Sequence, residues 1–317
     1  DEDRHAVKCP GTAIYMNRER QIRRKRRTRL RRRARRKASF AQPTKMTKLS
    51  YRQASIAKPG EETPNEDSAY IDASCLALSD GAGGCGLYAD RWSHYLVSQL
   101  DKQTPLMGYE ALDSWVEQIW QPFYNDCEAM AKEGDAMLLN KFYSEGSCAT
   151  LVAAWIGDNE ECRWIAYGDS VLFHYNRATG ELWHSFTSVA DFDNPPHLIS
   201  CKDPLTQAGF SEGSLALTES SVLFAASDAL SCFVLMMYQV SRWTEYAEEL
   251  EVLIAEHSSG SHRVQLARAM KFDFYEDVLK RLIDSASSAE TFAQQVHAWL
   301  DEGLLELDDY TVAFLKL

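Results

Sequence analysis

Apolar runs that read as β-strands repeatedly stop at, or are broken by, short acidic clusters. These are Asn65-Glu66-Asp67, Ser79-Asp80-Gly81-Ala82-Gly83-Gly84, Gly168-Asp169-Ser170, Ser227-Asp228-Ala229 and Asp308-Asp309-Tyr310-Thr311. The runs also come in blocks. Residues 50–57 and 68–79 read as strands around a loop rich in Pro, Gly and Glu. Helical spacing follows in 87–100, through Tyr88, Trp92, Tyr95 and Leu96, and in 109–131, through Leu112, Trp115, Ile119 and Phe123. Strands return at 147–156, 162–167, 171–175 and 181–185, the last two joined by the hairpin turn Arg177-Ala178-Thr179-Gly180. Segment 186–219 is irregular and includes Asn194-Pro195-Pro196. A long loop of this kind in a compact domain is usually functional or mobile. A strand at 221–226 precedes helices at 230–238, 243–256, 264–283 and 289–300. Residues 310–317 alternate as a final strand, which must return to a sheet because a lone strand is not stable. Strands and helices are segregated rather than alternating, so the expected class is α+β with antiparallel sheets.

Charge is divided sharply along the chain. Residues 1–37 carry 16 Lys/Arg against 4 Asp/Glu, a net of +12, whereas the other 280 carry 18 against 42, a net of −24. Residues 1–45 are basic and poor in apolar side chains, so they are expected to be disordered, either as an arm for anions or as a non-native extension. The folded domain is expected to span 46–317, with Met46 as a sensible start. Its acidity disfavours nucleic acid and suits cations. No run of 18 apolar residues and no secretory signal is visible, so a cytoplasmic protein with no membrane partner is expected. The eight cysteines, Cys9, Cys75, Cys85, Cys127, Cys148, Cys162, Cys201 and Cys232, include no Cys-x-x-Cys pair, and most sit in apolar runs. Reduced core thiols fit this pattern better than a zinc site or a disulfide framework. His94, His174, His184 and His297 sit in regular elements and read as packing or surface residues.

Carboxylates held at strand ends suit hard divalent cations, which take oxygen ligands. Two such ions about 3.5–4 Å apart clamp a phosphoryl group and activate water. Gly81, Gly83 and Gly84 let backbone approach an ion with no Cβ in the way. Together these point to metal-dependent phosphate hydrolysis.

The ordered set also resembles a family. Asn65-Glu66-Asp67, a strand, Asp80-Gly81-x-Gly83-Gly84, Gly146-Ser147-Cys148-Ala149-Thr150, Gly168-Asp169-Ser170, Ser227-Asp228-Ala229-Leu230 and Asp308-Asp309-x-Thr311 are similar, in order, to the motifs of the metal-dependent type 2C serine/threonine protein phosphatases. The resemblance covers roughly residues 46–317. It implies a central antiparallel β-sandwich flanked by helices on both sides, a four-layer α-β-β-α arrangement. It also implies two Mn²⁺ or Mg²⁺ ions, with a third in a weaker site. Asp80 would bridge the two ions, Gly81 would offer its carbonyl, and Asp228 and Asp308 would bind the second ion. Glu66 and Asp67 would hold metal-bound water, and Asp169 with Asp228 would take the third ion. The implied substrate is a phosphoprotein carrying phosphoserine or phosphothreonine, with a Ser/Thr kinase as its counterpart.

The chain departs from the family pattern in places. Glu62 stands where many members carry a phosphate-gripping Arg, so Lys58 is the candidate contact for substrate phosphate. Ala82 stands where several have His, and Cys232 where many have Asp. These departures keep open an alternative, a catalytically weak relative acting as a regulatory binding module. A nucleic-acid binder acting through the basic arm is the third reading, and the acidic body offers it no second basic surface.

Overall fold

A computed structural model describes residues 50–255 and 260–316. The expected basic segment 1–45, Met46, Glu256 and Leu317 lie outside the described residues.

Among the described residues, twelve strands and eight α-helices form an α+β fold. One five-stranded antiparallel sheet has the order β1 (Arg52–Ile56), β12 (Tyr310–Lys316), β11 (Ser221–Ala226), β7 (Val171–Asn176), β8 (Glu181–His184). The second has the order β10 (Phe210–Ala216), β6 (Glu161–Tyr167), β5 (Leu151–Ile156), β3 (Cys75–Asp80), β2 (Asp67–Ile71). A short ladder joins β4 (Cys148–Ala149) to β9 (Ile199–Ser200).

The central strands are apolar on both faces because both faces are covered. Leu76, Leu78, Val152 and Ala154 meet Leu172, Leu223, Ala225, Ala313 and Leu315 between the sheets. The alternate residues Cys75, Ala77, Leu151 and Ala153 pack outward under α1 (Ala89–Gln99) and α2 (Tyr109–Glu133). On the other side Phe173, Phe224, Val312 and Phe314 pack under α4 (Asp228–Ser241) and α8 (Ala289–Asp301). The period-2 direction of strand side chains thus divides each run between two cores. The result is the four-layer sandwich that the motifs implied. Cys75, Cys127, Cys148, Cys162 and Cys201 are buried, and none of the described cysteines is disulfide-bonded.

Four elements differ from the sequence reading. Residues 68–79 form two strands, because the Asp72 carboxylate accepts from the backbone N–H groups of Ser74 and Cys75 and closes a turn. Segment 186–219 is only partly irregular: it carries β9 and the seven-residue edge strand β10. β10 (Phe-Ser-Glu-Gly-Ser-Leu-Ala) is half exposed and short of β-branched residues, which hid it from the pattern. Helix α3 (Ala136–Glu145) was not expected. Asp135 caps it, accepting from Leu138 N–H at 2.8 Å, and only Phe142 is buried, so its apolar stripe is faint. Finally, 264–283 is not one helix. α6 (Ser261–Ala269) ends, Asp273 caps a π-helical turn (Phe274–Leu279), and α7 (Lys280–Ser285) follows. α5 (Trp243–Ala255) lies between α4 and α6.

Candidate metal centre

The acidic clusters meet at one end of the sandwich. Asp67 begins β2 and Asp80 ends β3, and the ladder places them directly opposite each other. Asp169 lies in the turn between β6 and β7, Asp228 opens α4 after β11, and Asp308 precedes β12. Asp80, Asp169, Asp228 and Asp308 line one cleft of about 550 Å³, together with Glu66 and Gly81, and among the described residues Lys58 is the one cation lining it.

The remaining motif residues fix the backbone of these acids. Asp80 N–H donates to Thr150 Oγ1 at 3.0 Å, Thr150 N–H donates to the Asp80 carbonyl at 2.8 Å, and Thr150 Oγ1 is 2.6 Å from Ser170 Oγ. Three motifs far apart in sequence therefore clamp one residue. Ser227 Oγ accepts from Thr311 N–H at 3.0 Å, and Ser227 N–H donates to the Thr311 carbonyl at 3.0 Å. This ties Asp228 to the strand that Asp308 introduces. Ser170 and Ser227 thus serve as structural hydroxyls.

Gly81 and Gly83 are needed for close approach. A Cβ at Gly81 would lie 2.6 Å from the Ala89 carbonyl oxygen, and one at Gly83 would lie 2.3 Å from Glu66 Oε1. The Glu66 carboxylate accepts from Gly83 N–H at 3.0 Å and holds the glycine loop in place.

Asp309 was missed as a site residue. Its two carboxylate oxygens accept from Lys58 N–H and Glu66 N–H, each at 2.7 Å. It pins the loop carrying Lys58 and Glu66 to the strand end carrying Asp308. Sequence gave only its position beside Asp308, since the loop it holds lies some 250 positions away.

The electrostatics are those of crowded, dry acids. Burial, followed by the charges of Asp67, Asp228 and Asp169, pushes the Asp80 carboxyl well above the ordinary aspartate range. Burial and then Asp169 and Asp308 do the same to Asp228. Burial brings Asp67 up to about 7, against an opposing pull from the Thr311 and Ser227 hydroxyls. Burial brings Asp169 up to about 6. Asp308 and Glu66 also move up, burial again being the largest cause. Both Asp67 oxygens are buried and make no hydrogen bond of normal geometry, although those hydroxyls are close enough to favour its ionised form. Cations between such groups would keep them ionised and relieve their repulsion.

Among the described residues, no three Asp, Glu, His or Cys side chains stand at the spacing that closes on a single ion. The carboxylates ring the cleft instead. An ion there would take one or two of them, the Gly81 carbonyl and water, the mixed shell that Mg²⁺ keeps in many sites. The donor set, all oxygen, and the unpartnered Asp67 fit a hard divalent cation.

At the rim, Lys58 Nζ lies 3.5 Å from Glu61 Oε1. Glu61 lines the cleft, whereas Glu62 is exposed and does not. The position that departs from the family pattern therefore does not line the cleft, and its neighbour does.

No family model and no curated protein matches the chain. Solved structures of serine/threonine phosphatases are similar to it over most of its length. The Mycobacterium tuberculosis serine/threonine phosphatase PstP/Ppp is 17% identical, over 84% of this chain and 97% of that one, with a TM-score of 0.48. The catalytic domain of PstP, solved in complex with two manganese ions, gives 17%, 84%, 96% and 0.48 for the same measures. Stp1 of Staphylococcus aureus is 14% identical, over 86% of this chain and 96% of that one, with a TM-score of 0.47.

Proposed function

We propose that this chain is a metal-dependent phosphoprotein phosphatase acting on phosphoserine and phosphothreonine. One observation carries the reading: Asp67, Asp80, Asp169, Asp228 and Asp308, from separate elements, gather at one end of the sandwich, and Asp67 is buried without a hydrogen-bond partner. Asp80 and the Gly81 carbonyl would hold one Mn²⁺ or Mg²⁺. Asp228 and Asp308 would hold a second, and Asp169 with Asp228 a weaker third. When bound, such ions lower the pKa of a bound water and take up charge on phosphoryl oxygens.

The chain's own groups do the rest. Glu66 and Asp67 accept hydrogen bonds from water in the cleft and orient it. Lys58 draws the phosphate dianion in as a point charge, without the fork that an Arg would offer. Thr150 and Asp309 keep the acids and the rim in register. Residues 46–317 would form the catalytic domain, and a Ser/Thr kinase would supply the substrate.

The test is hydrolysis of p-nitrophenyl phosphate and of a phosphothreonine peptide in Mn²⁺, Mg²⁺ or EDTA. Turnover in Mn²⁺ or Mg²⁺ and none in EDTA is expected. Turnover that ignores EDTA, or none with either metal, sinks the reading. A second reading, a weakly active relative that binds phosphoproteins as a regulatory module, is favoured by Glu61 occupying Lys58 and by the absence of a closed ligand group among the described residues. It predicts peptide binding without turnover.

A further inference from the structure

Beside the cleft lies a second cavity of about 260 Å³, lined by Arg263, Glu306, Cys232, Phe192, Asp228 and Asp308, among others. Phe192, Asp228 and Asp308 line both spaces, so the two share a wall at the acidic centre. Among the described residues, Arg263 is the one cation lining this cavity. Its side chain is only 15% exposed, in a folded region that is otherwise strongly acidic.

Among the described residues, its one hydrogen bond is from Nη2 to Glu306 Oε2 at 2.9 Å. Guanidinium has five N–H donors in a planar fork and pairs best with both oxygens of a carboxylate or phosphate. Here one donor is engaged, by a carboxylate that is 57% exposed and therefore cheap to displace. The cation sits inside and its present partner outside.

Resting on the phosphatase reading, we infer that the Arg263 cavity is a specificity subsite. It takes an anionic group, either a carboxylate side chain or a second phosphate, one or a few residues from the phosphoserine or phosphothreonine in the cleft. Glu306 fills the fork until that group displaces it. The wall also carries the carboxylates Asp193, Asp228 and Asp308. Asp228 and Asp308 would repel an anion unless divalent cations engage them, so the subsite works best with metal present. Anionic flanks should therefore tighten binding more with metal present than in EDTA.

The experiment uses the full chain and fluorescence anisotropy. The probes are peptides bearing a non-hydrolysable phosphonate in place of phosphoserine, flanked by Ala, by Glu or by a second phosphonate. In Mn²⁺ the anionic flanks should bind about tenfold tighter than Ala, the scale of one charge-assisted fork contact. Which flank gains more identifies the natural group. Arg263→Ala should reduce the preference to under twofold, with Arg263→Lys between. Glu306→Gln, at an exposed position, should raise the preference several-fold by removing the competitor. An equal preference in wild type and Arg263→Ala, or no gain in Glu306→Gln, overturns the subsite. If the Ala-flanked phosphopeptide is hydrolysed in Mn²⁺ yet flanks do not matter, the subsite alone fails. If no phosphopeptide is hydrolysed in any metal, the phosphatase reading fails and the subsite with it.

Discussion

The floor of the cleft and its rim are built by opposite means. On the floor, Asp80, Asp228 and Asp308 stand at strand or helix ends, with Asp67 paired opposite Asp80. Their backbones are locked by Thr150, Ser227 and Thr311, while their carboxyls are left crowded and dry. At the rim, Lys58 and Arg263 sit in ion pairs whose acidic partners, Glu61 and Glu306, are largely exposed. Exposed ion pairs contribute about 0–1 kcal/mol and exchange readily. Rigid backbone with unsatisfied charge suits a site that must capture cations. Satisfied but loosely held charge suits a site that must trade one anion for another. On the proposed reading, the floor would decide whether chemistry occurs and the rim what is held for it.

The strongest way to break this contrast is Asp80→Asn. It should cost at least about a hundredfold in metal-dependent turnover, the scale of losing a preorganised electrostatic group. The metal-free melting temperature should not fall, because a buried, repelled carboxylate is removed. Residual turnover above about a tenth of wild type, a loss well below that scale, would contradict the assignment.

Asp309→Ala comes next. It strands the N–H groups of Lys58 and Glu66. Leaving buried donors unpaired costs about 1–3 kcal/mol each, so denaturant unfolding should show a loss in that range. Asp309→Asn should fall between, since the amide keeps one acceptor. An unchanged midpoint for Asp309→Ala would mean the rim is not anchored to the floor through this residue.

The third effect is pH dependence without metal. Asp67 titrates at about 7 in the fold, against 3.8 as its ordinary value. Its folded pKa is raised, so its stabilising contribution is full below about pH 4 and is lost as pH climbs to about 7. In EDTA, melting temperatures of wild type should therefore fall across that window relative to Asp67→Asn, and Mn²⁺ should abolish the difference. Parallel curves in EDTA would show that the floor is not charge-strained.

The smallest effects belong to the rim. Lys58→Ala should raise KM for p-nitrophenyl phosphate by up to about tenfold, and Glu61→Gln should lower it slightly, both with kcat near wild type. Glu62→Arg should do little, because that residue does not line the cleft. A large gain from Glu62→Arg would mean the loop reaches the phosphate in another conformation.

The floor was legible in sequence because its residues mark the ends of strong apolar runs. Asp80, Asp169, Asp228 and Asp308 come together in one cleft, and Asp67 stands opposite Asp80 in the ladder. The sandwich was legible from the same runs, which are apolar on both faces. The rim was not. Asp309 acts through two backbone N–H groups, which carry no residue-type signal. Glu61 and Glu62 differ only in where an irregular loop places them. Strand β10 and helix α3 are half exposed and pack too little apolar surface to show a period.

The central claim is that the acidic floor is a site for divalent cations. Calorimetric titration of Mn²⁺ into the wild-type chain and into Asp80→Asn tests it most directly. Saturable binding of two ions to wild type, with at least one lost in Asp80→Asn, is the expected result. No binding to wild type, or the same isotherm for both proteins, would contradict it.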